Sequence, residues 1–395
     1  MDATSRPVPQ SYGPSRQIEI YLGGLAGHKP SLPVALDKLE QRAREVLTPE
    51  AWDYLAGGAG GEDTMRANRD AFRRWRIVPR MQRDVARRDL SVELFGRRFP
   101  VPVVLGPVGV QGIIHPEAEI AVARAAASLN IPFALSTVSS KSIEDVAAES
   151  GNAVRWFQLY PSKDPELTAS MVRRAEQAGY SAIIVTLDTT MLGWRERDLD
   201  YPFLPFLQSQ GLANYMTDPV FRSRLAAAPE EDAAAAVRQW VAVYSNPSFT
   251  WEQFRAVRLQ TRLPLLLKGI LHPEDARLAR KWDVDGIIVS NHGGRQVDGA
   301  IAALDALPAI VKAVEGSIPV LFDSGIRRGA DALKALALGA RAVLLARPYL
   351  WGLAAAGEQG VREVLLNFLA DLDLTLALSG HSSCGELDAS FLAPG

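Results

Sequence analysis

The chain has 395 residues, of which 48% are hydrophobic and 22% charged, an ordinary balance for a globular protein with a large core. The net charge of −2 gives no electrostatic reason to expect nucleic acid or an anionic membrane as a partner. A single cysteine, Cys384, excludes an intrachain disulfide and is typical of a reducing compartment, so we expect a cytoplasmic protein. The first residues lack the apolar core of a signal peptide, and no apolar run approaches the roughly 18 residues of a membrane span.

The first hundred residues predict an extended arm followed by a helical cap. Residues 1–34 are rich in proline, glycine and serine, which favours an arm laid over the body of the protein. Residues 35–57 predict helix with a break at Leu47-Thr48-Pro49, and the glycine run 57–61 requires unusual backbone angles. We therefore expect an arm and cap over residues 1–99 and one larger domain over residues 100–395.

From residue 100 onward, short apolar runs alternate with amphipathic helical segments. Eight runs predict strands: Val101–Leu105, Pro132–Leu135, Val154–Leu159, Ala182–Leu187, Pro264–Leu267, Gly286–Val289, Pro319–Phe322 and Ala342–Leu345. Their fully apolar character is typical of a parallel sheet that is buried on both faces. Eight strand–helix units predict a (β/α)8 TIM barrel. An open doubly wound sheet is the alternative, but no G-x-G-x-x-G fingerprint follows an early strand.

One interval breaks this alternation. After the fourth strand ends at Leu187, the next helix is predicted only at about Trp251, and the intervening insertion covers about residues 189–250. A long insertion in a compact domain is usually a lid, a binding loop or a disordered segment. Because it follows the carboxyl end of a strand, where barrel active sites lie, we interpret it as a lid, with a mobile oligomer contact as the alternative.

Small polar groups follow the first four predicted strands. The turn Gly106-Pro107-Val108-Gly109 has few side-chain atoms, so a flat ligand could lie close to its backbone. The next three strands end in Ser136-Thr137, in Gln158-Leu159-Tyr160 and in Thr186-Leu187-Asp188. The carboxyl ends of barrel strands converge on one mouth, so these groups together predict one site, although each alone is compatible with an ordinary turn.

The fifth and sixth strands end in charged residues. Lys268 follows three leucines, and because lysine is rarely buried without a partner, it predicts a cation beside a bound ring that gains negative charge. A lysine whose amine reaches solvent at the rim is the alternative. The sixth strand leads into Ser290-Asn291-His292-Gly293-Gly294-Arg295. Although a lone histidine is more often structural, this pattern predicts that His292 takes a proton from a substrate whose anionic group Arg295 holds.

The last two strands predict a phosphate site. Asp323-Ser324-Gly325-Ile326-Arg327 and Ala346-Arg347 each precede a helix, whose N-terminal N–H groups favour anions. Guanidinium groups add forked donors, and phosphates commonly bind after the seventh and eighth strands of this fold. The alternative is that these arginines pair with acids on neighbouring helices.

A phosphate site, a buried lysine and a line of small polar groups together outline flavin mononucleotide (FMN). No dinucleotide fingerprint competes with this interpretation. A metal site is not predicted, because His28, His115, His272 and His381 are scattered without ligand spacing. A serine hydrolase is excluded because the chain has no G-x-S-x-G elbow.

The chain resembles the FMN-dependent L-2-hydroxy acid oxidase/dehydrogenase family from Asp53-Tyr54 to its C-terminal helix. FQLY, TLD, LKGI, SNHGGRQ, DSGIRRG and ALALGA carry the resemblance, and SNHGGRQ is the most specific of them. Within the family the chain is most similar to lactate 2-monooxygenases, through AGGAGGEDT, GWRERDL, NYMTDPVF and Ser324. The resemblance implies FMN, a small 2-hydroxy acid and O2 as partners, and a homotetramer or homo-octamer.

The resemblance also implies roles for individual residues. His292 would be the base at the C2 hydroxyl or C2 hydrogen, and Asp188 would orient it and favour its protonated form. The catalytic groups would be His292, Asp188, Tyr160 and Lys268, and the substrate would be bound by Tyr54, Tyr160, Arg195, His292 and Arg295. FMN would be bound by Pro107, Val108, Gly109, Ser136, Gln158, Thr186, Lys268, Ser290, Asp323, Ser324, Gly325, Arg327, Ala346 and Arg347.

Two positions depart from the family pattern. Ala346 stands where the family usually has glycine, and Val138 stands where plant-type glycolate oxidases have a bulky aromatic. The first departure leaves the phosphate position open, and the second leaves the substrate size open.

The expected reaction is that of a lactate 2-monooxygenase, which converts lactate and O2 to acetate, CO2 and water. An oxidase that releases the 2-oxo acid and H2O2 is the first alternative. A quinone- or cytochrome-coupled dehydrogenase is less well supported, because no haem domain or membrane segment is predicted. A non-catalytic flavoprotein scaffold is the alternative of another class.

Overall fold

The computed structural model describes residues 11–395, and its first four helices precede the barrel. They are α1 (Tyr12–Leu25), α2 (Leu36–Val46), α3 (Pro49–Ala56) and α4 (Asp63–Arg73). The predicted break between α2 and α3 is confirmed, because Thr48 accepts a hydrogen bond from the N–H of Ala51 and Pro49 begins the next helix.

The prediction of an extended arm is wrong over Tyr12–Leu25, which form α1, and residues 1–10 of that predicted arm lie outside the described part. This helix packs on the C-terminal helix α16 (Arg347–Leu378). The Gly13 N–H donates to Asp373 at 2.8 Å, and Arg16 forms an ion pair with Glu363. Tertiary contacts with α16 thus stabilise a segment whose composition alone suggests a loop.

Eight parallel strands form a closed barrel, as predicted. They are β4 (Val103–Leu105), β5 (Phe133–Ser136), β6 (Arg155–Leu159), β7 (Ile183–Thr186), β8 (Leu265–Ile270), β9 (Gly286–Val289), β10 (Val320–Phe322) and β11 (Ala342–Leu345). Each pairs with its neighbours in chain order, and β11 closes on β4 through Val343↔Val103. The strands are buried almost throughout, which accounts for their apolar character on both faces.

A helix follows each barrel strand along the chain, and the helix after the insertion begins at Trp251, as predicted. These helices are α5 (Ala118–Ser128), α6 (Ile143–Glu149), α7 (Pro165–Gln177), α12 (Trp251–Arg258), α13 (Pro273–Lys281), α14 (Ala303–Val314), α15 (Gly329–Ala337) and α16. Local sequence fixes several starts: Ser142 and Asp145 form a capping box on α6, and Asp164 caps α7 ahead of Pro165. None of the helices between residues 11 and 395 is long and apolar enough to cross a membrane.

Two short antiparallel sheets complete the fold. Strand β1 (Trp75–Ile77) pairs with β12 (Leu392–Pro394), and β2 (Val92–Leu94) pairs with β3 (Arg97–Phe99). Side chains of the β2–β3 hairpin belong to the same buried cluster as the residues that point into the barrel, including Val104, Trp156 and Ile288. Since β3 leads directly into β4, the hairpin covers the N-terminal end of the barrel, which leaves the C-terminal end for the site.

The insertion over residues 189–250 is more ordered than the sequence suggested. It contains α8 (Glu196–Asp200), a 3₁₀ turn (Pro205–Gln208), α9 (Ala213–Met216), α10 (Pro219–Ser223) and α11 (Ala233–Tyr244). The expectation that no helix precedes Trp251 is therefore wrong. Alanine has the highest helix propensity, Asp232 caps α11 on the Ala235 N–H, and Trp240 stacks on Tyr244 at 4.7 Å between ring centroids.

Candidate active site

The C-terminal ends of the barrel strands open on a cavity of about 1150 Å³, including its open mouth. The predicted site residues that line it are Tyr54, Pro107, Val108, Gly109, Ser136, Tyr160, Arg195, Lys268, His292, Arg295, Asp323, Ser324, Gly325, Arg327, Ala346 and Arg347. The remaining ones, Gln158, Thr186, Asp188 and Ser290, are largely buried at the ends of the same strands. The barrel thus brings together every predicted position, from residue 54 to residue 347.

A histidine–aspartate pair lies at one side of this cavity. His292 Nδ1 is 2.7 Å from Asp188 Oδ1, and the Thr189 hydroxyl donates to the same carboxylate oxygen at 3.0 Å. His292 has a φ of 58°, an unusual conformation for a residue other than glycine, and its N–H donates to Ser290 Oγ. Because Asp188 engages Nδ1, the ring presents Nε2 as its second nitrogen, which is the nitrogen left to act on a ligand.

The charges around this pair favour a neutral imidazole and an ionised Asp188. Burial alone would raise the pKa of Asp188, but His292 and Lys268 outweigh it and lower that pKa to about 2. Burial lowers the pKa of His292, and the nearby Lys268 and Arg195 lower it further against the opposing effect of Asp188. The ring is therefore set to accept a proton, and the expectation that Asp188 favours its protonated form is met only in part.

Lys268 is a buried cation. Its side chain is 5% exposed, and Nζ lies 3.2 Å from Asp323 Oδ2 and donates to Ser290 Oγ at 2.9 Å. Burial lowers its pKa, but Asp323 and Asp188 outweigh that effect, so the pKa lies above its usual value. A lysine held in this way stays charged inside the cavity, and the alternative of a solvent-exposed rim lysine is wrong.

Two arginines face the cavity near His292. Arg195 comes from the insertion, where Nε donates to the carbonyl oxygen of Arg295 at 3.1 Å and Nη2 donates to Gln296 Oε1 at 2.9 Å. Arg295 follows β9, donates to the carbonyl oxygen of Gly57 at 2.7 Å and lies over the ring of Tyr54 at 5.2 Å. Within residues 11–395, no carboxylate lies within 4.0 Å of the Arg295 guanidinium. The two cations can therefore bind a carboxylate between them.

Two phenols complete this part of the cavity. Burial raises the pKa of Tyr54 despite the nearby arginines, and burial together with Asp188 raises the pKa of Tyr160 to about 12. Both groups are therefore protonated at neutral pH and can donate a hydrogen bond to a ligand oxygen. The Tyr160 ring packs edge-on against Tyr244, which comes from helix α11.

The predicted phosphate site contains two partly buried guanidiniums. Arg347 donates to the carbonyl oxygens of Leu55, Gly57 and Gly293, and Arg327 stacks on Trp351 at 5.2 Å. Burial lowers the pKa of Arg327 to about 10 and lowers that of Arg347 as well, and neighbouring arginines add to both effects. Among the described residues neither forms an ion pair, so the alternative of pairing with helix acids is not observed. Two partly buried cations without an acid partner are suited to a dianionic phosphate.

The cavity wall between His292 and the predicted phosphate site has features that fit a flavin ring. Gln158 Nε2 and Thr186 Oγ1 are buried and find no hydrogen-bond partner within the described range. An isoalloxazine ring carries carbonyl oxygens and ring nitrogens that would satisfy both atoms. The turn Pro107–Gly109 lines the cavity, and Gly109 packs tightly against the next loop, because a Cβ there would lie 2.6 Å from Val138 Cγ2. The donors therefore fit FMN.

The glycine run of the N-terminal cap contacts the loop of His292. The N–H of Ala59 donates to the carbonyl oxygen of Gly294 at 2.8 Å, and a Cβ at Gly58 would lie 3.1 Å from that same oxygen. Only Gly60 in this run has the positive φ that the sequence suggested, at 49°. The run is thus needed mainly for close approach, which brings Tyr54 and Leu55 against the cavity.

Several contributing residues were not predicted. Thr189 and Gln296 support Asp188 and Arg195. Glu119 lies fully buried and accepts from the N–H groups of Gln111 and Ser140, joining two loops of the cavity wall. Gln296 belongs to the SNHGGRQ motif, and this motif could have identified it as a site residue. The contacts of Thr189 and Glu119 form only when the barrel is closed, so the sequence contains no sign of them.

Comparison with known proteins agrees with this geometry. The profile of a family described as FMN-dependent dehydrogenase matches residues 43–394. An L-lactate oxidase of Lysinibacillus sphaericus (strain C3-41) is 47% identical over 365 residues, 92% of this chain and 94% of that protein. An FMN-dependent alpha-hydroxy acid dehydrogenase of Penicillium citrinum is 46% identical and covers 96% of this chain and 95% of its own. A crystal structure of mandelate oxidase has a TM-score of 0.81 at 42% identity, over 92% of this chain and 98% of that one.

Proposed function

The chain belongs to the family of FMN-dependent dehydrogenases and is an FMN-dependent 2-hydroxy acid oxidoreductase, and from this premise we propose that it oxidises a small L-2-hydroxy acid with O2. One observation carries the proposal. His292, which Asp188 contacts at Nδ1, lines the same cavity as Arg195 and Arg295 and as the two cations that fit the FMN phosphate. Lactate is the leading substrate, from the resemblance and from the name of the 47% identical relative.

The residues that would hold FMN divide into two groups. The ring would contact Pro107, Val108, Gly109, Ser136, Gln158, Thr186, Lys268 and Ser290, and the phosphate would contact Asp323, Ser324, Gly325, Arg327, Ala346 and Arg347. When bound, FMN supplies a two-electron acceptor that passes the electrons on to O2. The charge of Lys268 offsets the negative charge that arrives at the ring. Ala346 keeps its backbone N–H, so its methyl group does not remove a donor.

The protein's own groups then bind the substrate and move its proton. Arg195 and Arg295 bind the carboxylate, and bidentate guanidinium pairing fixes its orientation as well as its charge. Tyr54 and Tyr160 donate hydrogen bonds to substrate oxygens. His292 Nε2 accepts the proton from the C2 hydroxyl or C2 hydrogen, and Asp188 stabilises the imidazolium that results.

The fate of the 2-oxo acid distinguishes two reactions. We favour retention, in which H2O2 formed in the cavity decarboxylates the 2-oxo acid, so that lactate and O2 yield acetate, CO2 and water. The insertion supports this choice, because it supplies Arg195, Leu192, Phe206 and Tyr244 to the cavity wall. Its helix α8 is also fastened to the N-terminal cap, where Arg197 pairs with Asp53 and Glu62. Covering the mouth in this way would slow product escape.

Release of the 2-oxo acid with H2O2 is the second candidate. It is favoured by the names of two similar proteins, an L-lactate oxidase and a mandelate oxidase. The name mandelate oxidase also keeps larger aromatic hydroxy acids open as substrates, with Val138 on the cavity wall in place of a bulky aromatic. A cytoplasmic homotetramer or homo-octamer and the division at residues 99/100 stay predictions.

One assay in two stages tests the proposal. Candidate L-2-hydroxy acids are added to the purified yellow protein without O2, and the loss of flavin absorbance is recorded. A protein that stays yellow with every candidate would be a non-catalytic scaffold. Turnover in air then gives the ratio of acetate to H2O2. Acetate with little free H2O2 is expected, whereas pyruvate and H2O2 in equal amounts would support the oxidase instead.

A further inference from the structure

A carboxylate that no proposed step uses faces the arginine pair. Asp198 lies on helix α8 of the insertion, and its Oδ2 is 3.8 Å from Nη1 of Arg195. Both side chains are largely buried, with 11% of Asp198 and 8% of Arg195 exposed. Within the described range this is the nearest carboxylate to either arginine of the pair. The substrate carboxylate would therefore bind beside a negative charge that the protein already provides.

This carboxylate is not needed to hold Arg195 in place. At 3.8 Å the contact is too long for a hydrogen bond, and Arg195 is anchored instead by the Arg295 carbonyl and by Gln296. Asp198 Oδ1 is buried and finds no hydrogen-bond partner in the described chain. A buried carboxylate oxygen without a donor is costly, so the position calls for a role other than support.

Burial and charges of both signs act on the pKa of Asp198. Burial raises its pKa, Asp53 adds to that effect, and Arg295 and Arg195 oppose it without cancelling it. Tyr54 is a further titratable neighbour and is neutral at ordinary pH, whereas Glu196, Arg197 and Asp200 are charged residues of the same helix. On the other side, burial and Arg195 lower the pKa of Arg295 to about 10, so the two guanidiniums disfavour each other. Asp198 offsets that repulsion in the free protein.

We propose that Asp198 is a built-in counter-ion of the Arg195–Arg295 pair, which competes with bound carboxylates and takes up a proton when one binds. The inference rests on the proposed function of the same cavity. In the free protein the two arginines face one carboxylate, that of Asp198, and in the complex they also face the carboxylate of the bound ligand. The negative charge of the ligand disfavours ionisation of Asp198. Substrate and product are thereby bound less tightly than two bare arginines would bind them. Asp198 thus limits how long the 2-oxo acid is retained.

Replacing Asp198 by asparagine removes the charge and keeps the size. At alkaline pH, where more of Asp198 is ionised, we expect Asp198→Asn to bind a 2-oxo acid about tenfold more tightly, because a nearby like charge is gone. As the pH falls, Asp198 of the wild type becomes protonated and the two affinities converge. A residue that merely positioned Arg195 would show the opposite sign, with weaker binding in the variant.

The experiment uses the FMN-loaded protein and pyruvate as the probe. Binding is followed by the change in flavin absorbance, and proton uptake is measured by calorimetry in two buffers of different ionisation enthalpy. Asp200→Asn is the matched control, since Asp200 is an exposed residue on the same helix. We expect tighter binding and reduced proton uptake in Asp198→Asn and wild-type values in Asp200→Asn. Equal or weaker binding, or unchanged proton uptake, in Asp198→Asn would overturn the inference. A wild-type protein that does not bind pyruvate would instead contradict the carboxylate site itself.

Discussion

Replacing Asp188 by asparagine tests how much the histidine depends on its carboxylate partner. In the wild type the pKa of Asp188 lies at about 2 instead of 3.8. At 1.36 kcal/mol per pKa unit, that lowering corresponds to roughly 2 kcal/mol of net stabilisation of the carboxylate, which remains after its cationic neighbours have offset the cost of burial. The Asp188 side chain is only 12% exposed, so solvent screens the interaction weakly. Lys268 shares in this net value, and the cost of burial is already subtracted from it, so the value gives only the order of magnitude of the histidine's contribution.

Asp188→Asn should therefore slow proton transfer to His292 by on the order of thirtyfold, the factor that corresponds to roughly 2 kcal/mol. The assay is the rate at which L-lactate bleaches the flavin absorbance without O2 in a stopped-flow instrument. Asp188 raises the pKa of His292, so its loss lowers that pKa further. Because the neutral ring is the active form, the acidic limb of the pH–rate profile should move to lower pH. A change of less than about threefold, or a shift of that limb to higher pH, would refute the reasoning.

Three further predictions concern the cofactor and the substrate. Arg327→Met should raise the dissociation constant of FMN by about tenfold or more, because a cation without an acid partner is lost. The dissociation constant is measured by fluorescence titration. The control is Arg328→Met at an exposed neighbouring residue, which should leave the dissociation constant unchanged. Gln296→Leu should raise the KM for L-lactate by about tenfold with a smaller change in kcat, because Arg195 loses the hydrogen bond to Gln296 that positions it. A fall in kcat alone in steady-state measurements would contradict the positioning role of Gln296. Lys268→Met should slow flavin reduction. It should also lower the free energy of unfolding by about 3 kcal/mol, because Asp323 is left buried without its cation. An unchanged midpoint of denaturant unfolding would contradict the predicted loss of stability.

The barrel and the strand-end residues were predictable because their signals are local. Each strand is a short apolar run, and most site residues follow a strand within a few positions, so closure of the barrel places them together. Tyr54 on α3 and Arg195 in the insertion are the exceptions, and only the family resemblance pointed to them. Helix α1 was missed because its stabilising contacts are distant: the N–H of Gly13 donates to Asp373, 360 residues away. Helix α11 was missed because its alanine-rich stretch was assigned to a loop, although alanine favours helix and Trp240 packs against Phe206.

The supporting contacts of the site could not be read from the sequence for a related reason. Arg195 and Gln296 are 101 residues apart, and they meet only because the insertion returns to the mouth of the barrel. The sequence did not single out Asp198 beyond placing it in GWRERDL, because its proposed effect on carboxylate binding depends on its distance to Arg195. The pKa of His292 was also unpredictable, because it reflects burial and the nearby cations as much as the partner carboxylate.

The central claim is that His292 acts on a substrate that the arginines hold against FMN. The most direct measurement is anaerobic reduction of the His292→Ala protein by L-lactate, with FMN content determined from the absorbance spectrum of the same sample. We predict a yellow protein that binds FMN and pyruvate like the wild type but is bleached at least a hundredfold more slowly, within the range by which a general base accelerates reactions. Bleaching at the wild-type rate by a fully FMN-loaded variant would contradict the account.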